Sequence, residues 1–234
     1  MLASRFKGEA GNDGWFGAGS NMMSDLFDRL RQPVALADGA LFLPGAALPA
    51  ADRLWAAVQD VMRSAPLRRL STPGGRALSA EMSNCGIWGW HSDRQGYRYV
   101  SADPMTGGPW PSIPEVMRAL AADMACRAGY ENFEPQLCLI NRYVPGARMG
   151  LHQDRDEQAM AAPIVSVSLG LPARFLFGGL TRDAPRQTVV LQHGDVVVWG
   201  GPSRLAFHGV SPIRPGHHAL TGGYRYNLTF RRVT

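Results

Sequence analysis

The chain has 234 residues, 45% of them hydrophobic and 18% charged, which is enough for one domain with a sizeable core. That composition excludes disorder as the default, and no apolar run approaches the roughly 18 residues of a membrane span. The net charge of +5 is carried almost wholly by arginine, since Lys7 is the single lysine among 24 basic residues, and it suits a partner rich in phosphate or carboxylate.

In chain order, residues 1–22 are Gly-rich and read as a flexible tail without the apolar stretch of a signal peptide. Three cysteines, Cys85, Cys126 and Cys138, form no Cys-x-x-Cys pair, which points to a reducing, cytoplasmic setting. Ala51–Met62 fits an amphipathic helix with Leu54, Val58, Val61 and Met62 on its buried face and Pro66 as a stop. Residues 71–111, rich in Gly, Pro, Trp and Tyr, read as short strands and long loops. A second helix is expected from Pro114, capped by Ser112, with Val116, Leu120 and Met124 inward and Gly129 at its end.

From Gln136 the texture turns to strands: Leu137–Tyr143, Ile164–Leu169, Arg174–Phe177, Thr188–Leu191, Asp195–Trp199 and Tyr224–Phe230. Pro-Gly, Gly-Gly and His-Gly turns separate them. Many short strands without intervening helices favour a barrel or jelly roll. The predicted class is therefore mostly β with flanking helices (α+β). Its expected segments are the tail over 1–22, an N-terminal extension over 23–135 and the β core over 136–234.

A strand points residues i and i+2 to the same face, so His-x-Asp presents two metal ligands together. A third, distant His completes the 2-His-1-carboxylate triad of non-haem Fe(II) oxygenases, which leaves coordination positions open for co-substrate and dioxygen. His-x-Asp occurs at His91-Ser92-Asp93, His152-Gln153-Asp154 and His193-Gly194-Asp195, and counting motifs does not choose among them. Context favours His152 and Asp154 with His208: His91 sits in a loop-like Gly-Trp-Gly-Trp-His stretch, and His193-Gly194-Asp195 fits a turn. In Arg225-Tyr226-Asn227-Leu228-Thr229-Phe230-Arg231, residues 225, 227, 229 and 231 share one face. Two arginines and an asparagine on one buried face are costly without a partner, and a dicarboxylate such as 2-oxoglutarate would supply it.

These residues resemble the AlkB family of alkylated-DNA repair dioxygenases. The resemblance runs through Leu139-Ile140-Asn141-Arg142-Tyr143, Leu151–Glu157, Pro163–Gly170, His193–Trp199 and Arg225–Arg231, with Thr72-Pro73-Gly74-Gly75 and Arg94-Gln95-Gly96-Tyr97 upstream. It implies a double-stranded β-helix (jelly-roll) core with an N-terminal nucleotide-recognition lid. It carries the iron triad onto His152, Asp154 and His208, and 2-oxoglutarate onto Arg225, Asn227 and Arg231 with Asn141 and Tyr143. Arg225 is assigned to the distal carboxylate and Arg231 to the metal-binding end. Lesion contacts fall on Thr72, Met82, Trp90, Tyr97 and Asp156, with Arg155 toward phosphate in place of the family's lysine. The implied activity is a monomeric, non-membrane enzyme using Fe(II), 2-oxoglutarate and O2 to demethylate 1-methyladenine and 3-methylcytosine in single- and double-stranded DNA. RNA or protein is the alternative substrate.

Overall fold

The computed structural model describes residues 31–234; the expected tail, residues 1–22, lies outside the described residues. The strands in the first half are β1 (Val34–Ala37), β2 (Ala40–Leu43), β3 (Glu81–Gly86), β4 (Gly89–Asp93) and β5 (Gly96–Val100). Helix α1 (Ala51–Ser64) falls between β2 and β3, and α2 (Glu115–Arg127) follows β5. The second half holds β6 (Leu137–Tyr143), β7 (Met149–His152), β8 (Ile164–Gly170) and β9 (Ala173–Phe177). It ends with β10 (Gln187–Leu191), β11 (Val196–Trp199), β12 (His208–Val210) and β13 (Arg225–Arg231).

These strands form a double-stranded β-helix. A seven-stranded sheet in the order β1-β2-β11-β8-β13-β6-β3 packs on a four-stranded sheet in the order β10-β9-β12-β7, and β4-β5 is a separate hairpin. The layers follow from alternation along the strands. On β13, Tyr226, Leu228 and Phe230 point away from the barrel into a cluster with Leu54, Val58 and Val61 of α1 and Met117, Ala121 and Met124 of α2. Each buried Leu, Val, Met or Phe among them contributes about 1.5–3 kcal/mol by leaving water. The opposite face of the large sheet meets Phe175, Phe177 and Val210 of the smaller one in a second cluster with Leu139, Tyr143, Ile164 and Trp199. Arg225, Asn227, Thr229 and Arg231 alternate with the apolar set, and all are buried.

The six expected strands form with ends shifted by at most a residue. Three expectations change. The His91 stretch is the strand β4, paired with β5 from Gly89↔Val100 to Asp93↔Gly96, rather than a loop. Gly89 is required there, because a Cβ would lie 2.3 Å from the Trp110 ring. Helix α2 buries Met117, Ala121, Met124 and Ala125, so the inward stripe is turned by one residue and leaves Val116 and Leu120 half-buried. Its N-cap is Pro114 without a side-chain cap, so Ser112 does not serve. Strands β1, β2 and β3, all upstream of residue 136, belong to the seven-stranded sheet.

Candidate active site

The two sheets position the triad by register. His208 on β12 pairs directly with His152 on β7, and Asp154 follows His152 by two residues. The approach of β12 to β7 depends on Gly209, where a Cβ would lie 2.8 Å from the Met149 carbonyl. His152 Nε2 is 3.6 Å from Asp154 Oδ1, and His208 Nε2 is 3.7 Å from Asp154 Oδ2. One ligand atom from each of the three lies within 4.8 Å of the others, as a single ion requires.

The tautomers follow from backbone partners. His152 Nδ1 donates to the Gly150 carbonyl and His208 Nδ1 to the Ala206 carbonyl, both at 2.9 Å. A carbonyl only accepts, so each Nε2 is left with its lone pair toward the common centre. Burial, aided by the neighbouring His152, pulls the His208 imidazole down to about 4. Burial opposes ionisation of Asp154 as well, but Arg231, His208, His152 and Arg204 together hold its carboxyl below the usual carboxylate range. At neutral pH the centre thus offers an anionic carboxylate and a neutral imidazole at His208, the protonation states that bind a divalent metal.

A cavity of about 230 Å³ extends from the triad. Asn141, Tyr143, Arg225, Asn227 and Arg231 line it at the large sheet, and Met82, Trp90, Tyr97 and Asp156 also line it. Arg225 faces Tyr143 and Asn227 faces Asn141 across the β13–β6 pairing. The two arginines differ in environment. Arg231 Nη2 donates to Asp154 Oδ2 at 2.8 Å, beside the metal ligands. Arg225 is 1% exposed and forms no ion pair among the described residues; its Nη2 donates to Ser168 Oγ at 3.2 Å and its guanidinium lies 5.0 Å from the Tyr143 ring centroid. Its Nε and Nη1 are buried without a hydrogen-bond partner, as is Asn141 Oδ1. A buried cation with two unpartnered donors, on a residue that lines the cavity, fits a carboxylate, so the donor set suits both an iron ion and a dicarboxylate.

The β4–β5 hairpin places Trp90 and Tyr97 stacked, with centroids 5.7 Å apart and planes at 19°. Thr72 and Arg155 do not line the cavity: Thr72 Oγ1 accepts from the Arg76 amide in its own turn, and Arg155 is exposed. The other two His-x-Asp pairs have different partners. Asp93 is bound bidentately by Arg98, whereas the Asp195 carboxylate accepts the Gly45 and Gln192 amides. Sequence reasoning missed Arg204, which donates to the Asp154 carbonyl at 2.6 Å, and Tyr99, which contacts Arg231. Neither carries a local signal, since Arg204 follows a short 3-10 turn and Tyr99 lies on β5, a short strand whose bounds the sequence does not mark.

A family model described as the 2OG-Fe(II) oxygenase superfamily matches residues 39–231, and the chain belongs to that superfamily. Over 212 residues the chain is 52% identical to the alpha-ketoglutarate-dependent dioxygenase AlkB of Escherichia coli, covering 90% of this chain and 98% of that one. It is 31% identical over 162 residues to the nucleic acid dioxygenase ALKBH1 of Mus musculus, with 69% of this chain and 39% of that one covered. The solved structure of OsALKBH1 superposes with a TM-score of 0.74 at 31% identity, covering 86% of this chain and all of that one. Within the superfamily, then, this is an AlkB-family enzyme, an Fe(II)- and 2-oxoglutarate-dependent dioxygenase that consumes O2.

Proposed function

We propose that the enzyme repairs DNA by oxidative demethylation of N-alkylated bases, 1-methyladenine and 3-methylcytosine. The observation that carries this reading is the convergence, in one cavity, of the His152/Asp154/His208 triad, the idle donors of Arg225 and the stacked Trp90 and Tyr97. When bound, iron with 2-oxoglutarate and O2 supplies oxidation of the N-methyl carbon, giving succinate, CO2 and, after the carbon–nitrogen bond breaks, formaldehyde and the unmodified base.

The residues divide the remaining work. The two Nε2 atoms and the Asp154 carboxylate are the groups that would hold the metal, beside the cavity. Arg225 takes the distal carboxylate of 2-oxoglutarate through its fork, assisted by Tyr143, while Asn141, Asn227 and Arg231 hold the end nearer the metal. Trp90 and the His152 ring form the two faces of a slot for a base turned out of the helix, with Met82 and Tyr97 closing its edge. Unstacking costs a few kcal/mol and less for damaged or single-stranded bases, and stacking on an aromatic ring returns about 1–3 kcal/mol. Asp156 lies at the cavity and favours cationic lesions; Thr72 and Arg155 serve the flanking strand outside it. The upstream segment that bears the β4–β5 hairpin acts as the nucleotide-recognition lid over the 136–234 core. The enzyme works as a monomer in the cytoplasm, a reducing compartment that suits its three free cysteines.

The test is release of formaldehyde from a 1-methyladenine oligodeoxynucleotide by iron-loaded protein, with omission of 2-oxoglutarate and Asp154→Ala as controls. Methylated RNA is run in parallel. Release from DNA that needs both iron and 2-oxoglutarate supports the reading. Release from RNA alone moves the substrate to RNA, and release from neither overturns it.

A further inference from the structure

Tyr99 lies on β5 directly across from Trp90 on β4, so the two side chains share a face of the hairpin with Tyr97, two residues away. Unlike Trp90 and Tyr97 it does not line the cavity. Its hydroxyl donates to Glu157 Oε1 and accepts from Arg231 Nη1 at 3.2 Å. Arg231 in turn grips the Asp154 carboxylate, and its Nε lies 3.4 Å from Glu157 Oε1. On the far side Arg204 Nη2 is 3.0 Å from Glu157 Oε2, while its Nη1 holds the Asp154 main-chain carbonyl. Asp154 is thereby fixed at both ends by two guanidiniums that converge on one carboxylate. Asp154, Glu157, Arg204 and Arg231 are all less than a tenth exposed, and their charges offset. The hairpin enters this buried ring through the Tyr99 hydroxyl.

We propose that Tyr99 is a positioning residue that couples seating of a base against the β4–β5 hairpin to the placement of Arg231 and the metal-ligating Asp154. The inference rests on the proposed function, because it takes the hairpin as the base-binding element and the triad with its arginines as the metal and 2-oxoglutarate site. A hairpin clamped on a base fixes Trp90, its cross-strand partner Tyr99 follows, and Arg231 is held in the orientation that serves both Asp154 and the co-substrate. Without the hydroxyl, Arg231 keeps its two carboxylates but loses its tie to the hairpin. Coupling is reciprocal, so the base must tighten 2-oxoglutarate binding by the same factor as 2-oxoglutarate tightens base binding.

The experiment measures 2-oxoglutarate affinity of manganese-loaded protein, which binds without turning over, with and without a 1-methyladenine oligonucleotide. Wild-type protein is expected to bind 2-oxoglutarate about fivefold or more tightly with the oligonucleotide present, at the low end of typical couplings. Tyr99→Phe removes one oxygen and keeps the ring, and it is expected to shrink that factor below about twofold. Tyr99→Leu, which also lacks the hydroxyl, is the second variant should Tyr99→Phe fail to fold, and the same loss is expected. In iron-loaded protein the ratio of succinate to formaldehyde should rise in the variants, which a merely loosened fold would not cause. Equal coupling in wild type and variants, or no coupling in wild type, overturns the inference and leaves the proposed function standing. Wild-type protein that binds no 2-oxoglutarate at all overturns both.

Discussion

The proposed co-substrate site rests most heavily on one side chain, Arg225. It is buried and, among the described residues, makes no ion pair and leaves Nε and Nη1 without a hydrogen-bond partner, a state that costs stability unless a carboxylate arrives. Burial lowers its affinity for its own proton, and the adjacent Tyr143 partly restores it. Arg225→Lys keeps the charge but loses the planar fork, so 2-oxoglutarate affinity should fall about 10- to 100-fold, the equivalent of one charge-assisted bond. Titration of manganese-loaded protein reads this directly, and an unchanged affinity would remove Arg225 from the site. Asp156 lies at the rim of the cavity, where partial loss of solvent and the nearby Glu157 raise its pKa. Asp156→Ala should depress turnover of 1-methyladenine more than that of a neutral etheno adduct. Equal losses on the two lesions would assign Asp156 to folding or backbone contact instead.

At the scale of elements, β13 was the most legible part of the chain. Its alternation of Arg, Asn, Thr and Arg with Tyr, Leu and Phe announces one polar and one apolar face, and both faces are buried because a sheet layer lies on one side and helices on the other. Strands β1 and β2 were missed although Asp38-Gly39 joins two apolar runs, since each run has only four residues. The stripe of α2 was misread by one position because alanines at 121 and 125 carry too little hydrophobicity to mark the buried side. Triad residues were readable as a spacing, whereas Arg204 and Tyr99 reach the site through tertiary contacts that leave no periodic trace.

The base of the β4–β5 region is closed by another pair at this scale. Arg68, which follows α1 and bridges to Met82 of β3, binds Asp103, just after β5, bidentately, with Nη2 2.6 Å from Oδ2. The guanidinium lowers the Asp103 pKa against the opposing effect of burial. Its folded-state value therefore lies below the unfolded one. The stabilisation is complete above the unfolded carboxyl value, near 3.9, and is lost as pH falls through the folded value. Asp103→Asn should cost about 1–3 kcal/mol at pH 7 and flatten the loss of stability below about pH 4. Thermal melts of both proteins across that range check it, and parallel curves would deny the pair a role.

Across the whole molecule, the arginine-rich charge of +5 serves at least two purposes. Arg204, Arg225 and Arg231 are buried at the centre, while Arg94 and Arg155 are exposed and, in the proposed function, face a phosphate backbone. Binding of a methylated oligonucleotide should weaken linearly in log–log form as salt rises, with a slope of about −0.7 per phosphate contacted in a single strand. The double-stranded β-helix allows such a division, because one cavity is lined by the triad, by Arg225 and by Trp90 and Tyr97 of the β4–β5 hairpin. The most direct measurement of the central claim is the stoichiometry of one reaction: succinate, formaldehyde and unmodified adenine formed from a 1-methyladenine oligonucleotide by iron-loaded protein. Equal amounts of all three, abolished by Asp154→Ala, are predicted. Succinate without formaldehyde or adenine, from fully iron-loaded protein, would contradict demethylation of this base as the enzyme's reaction.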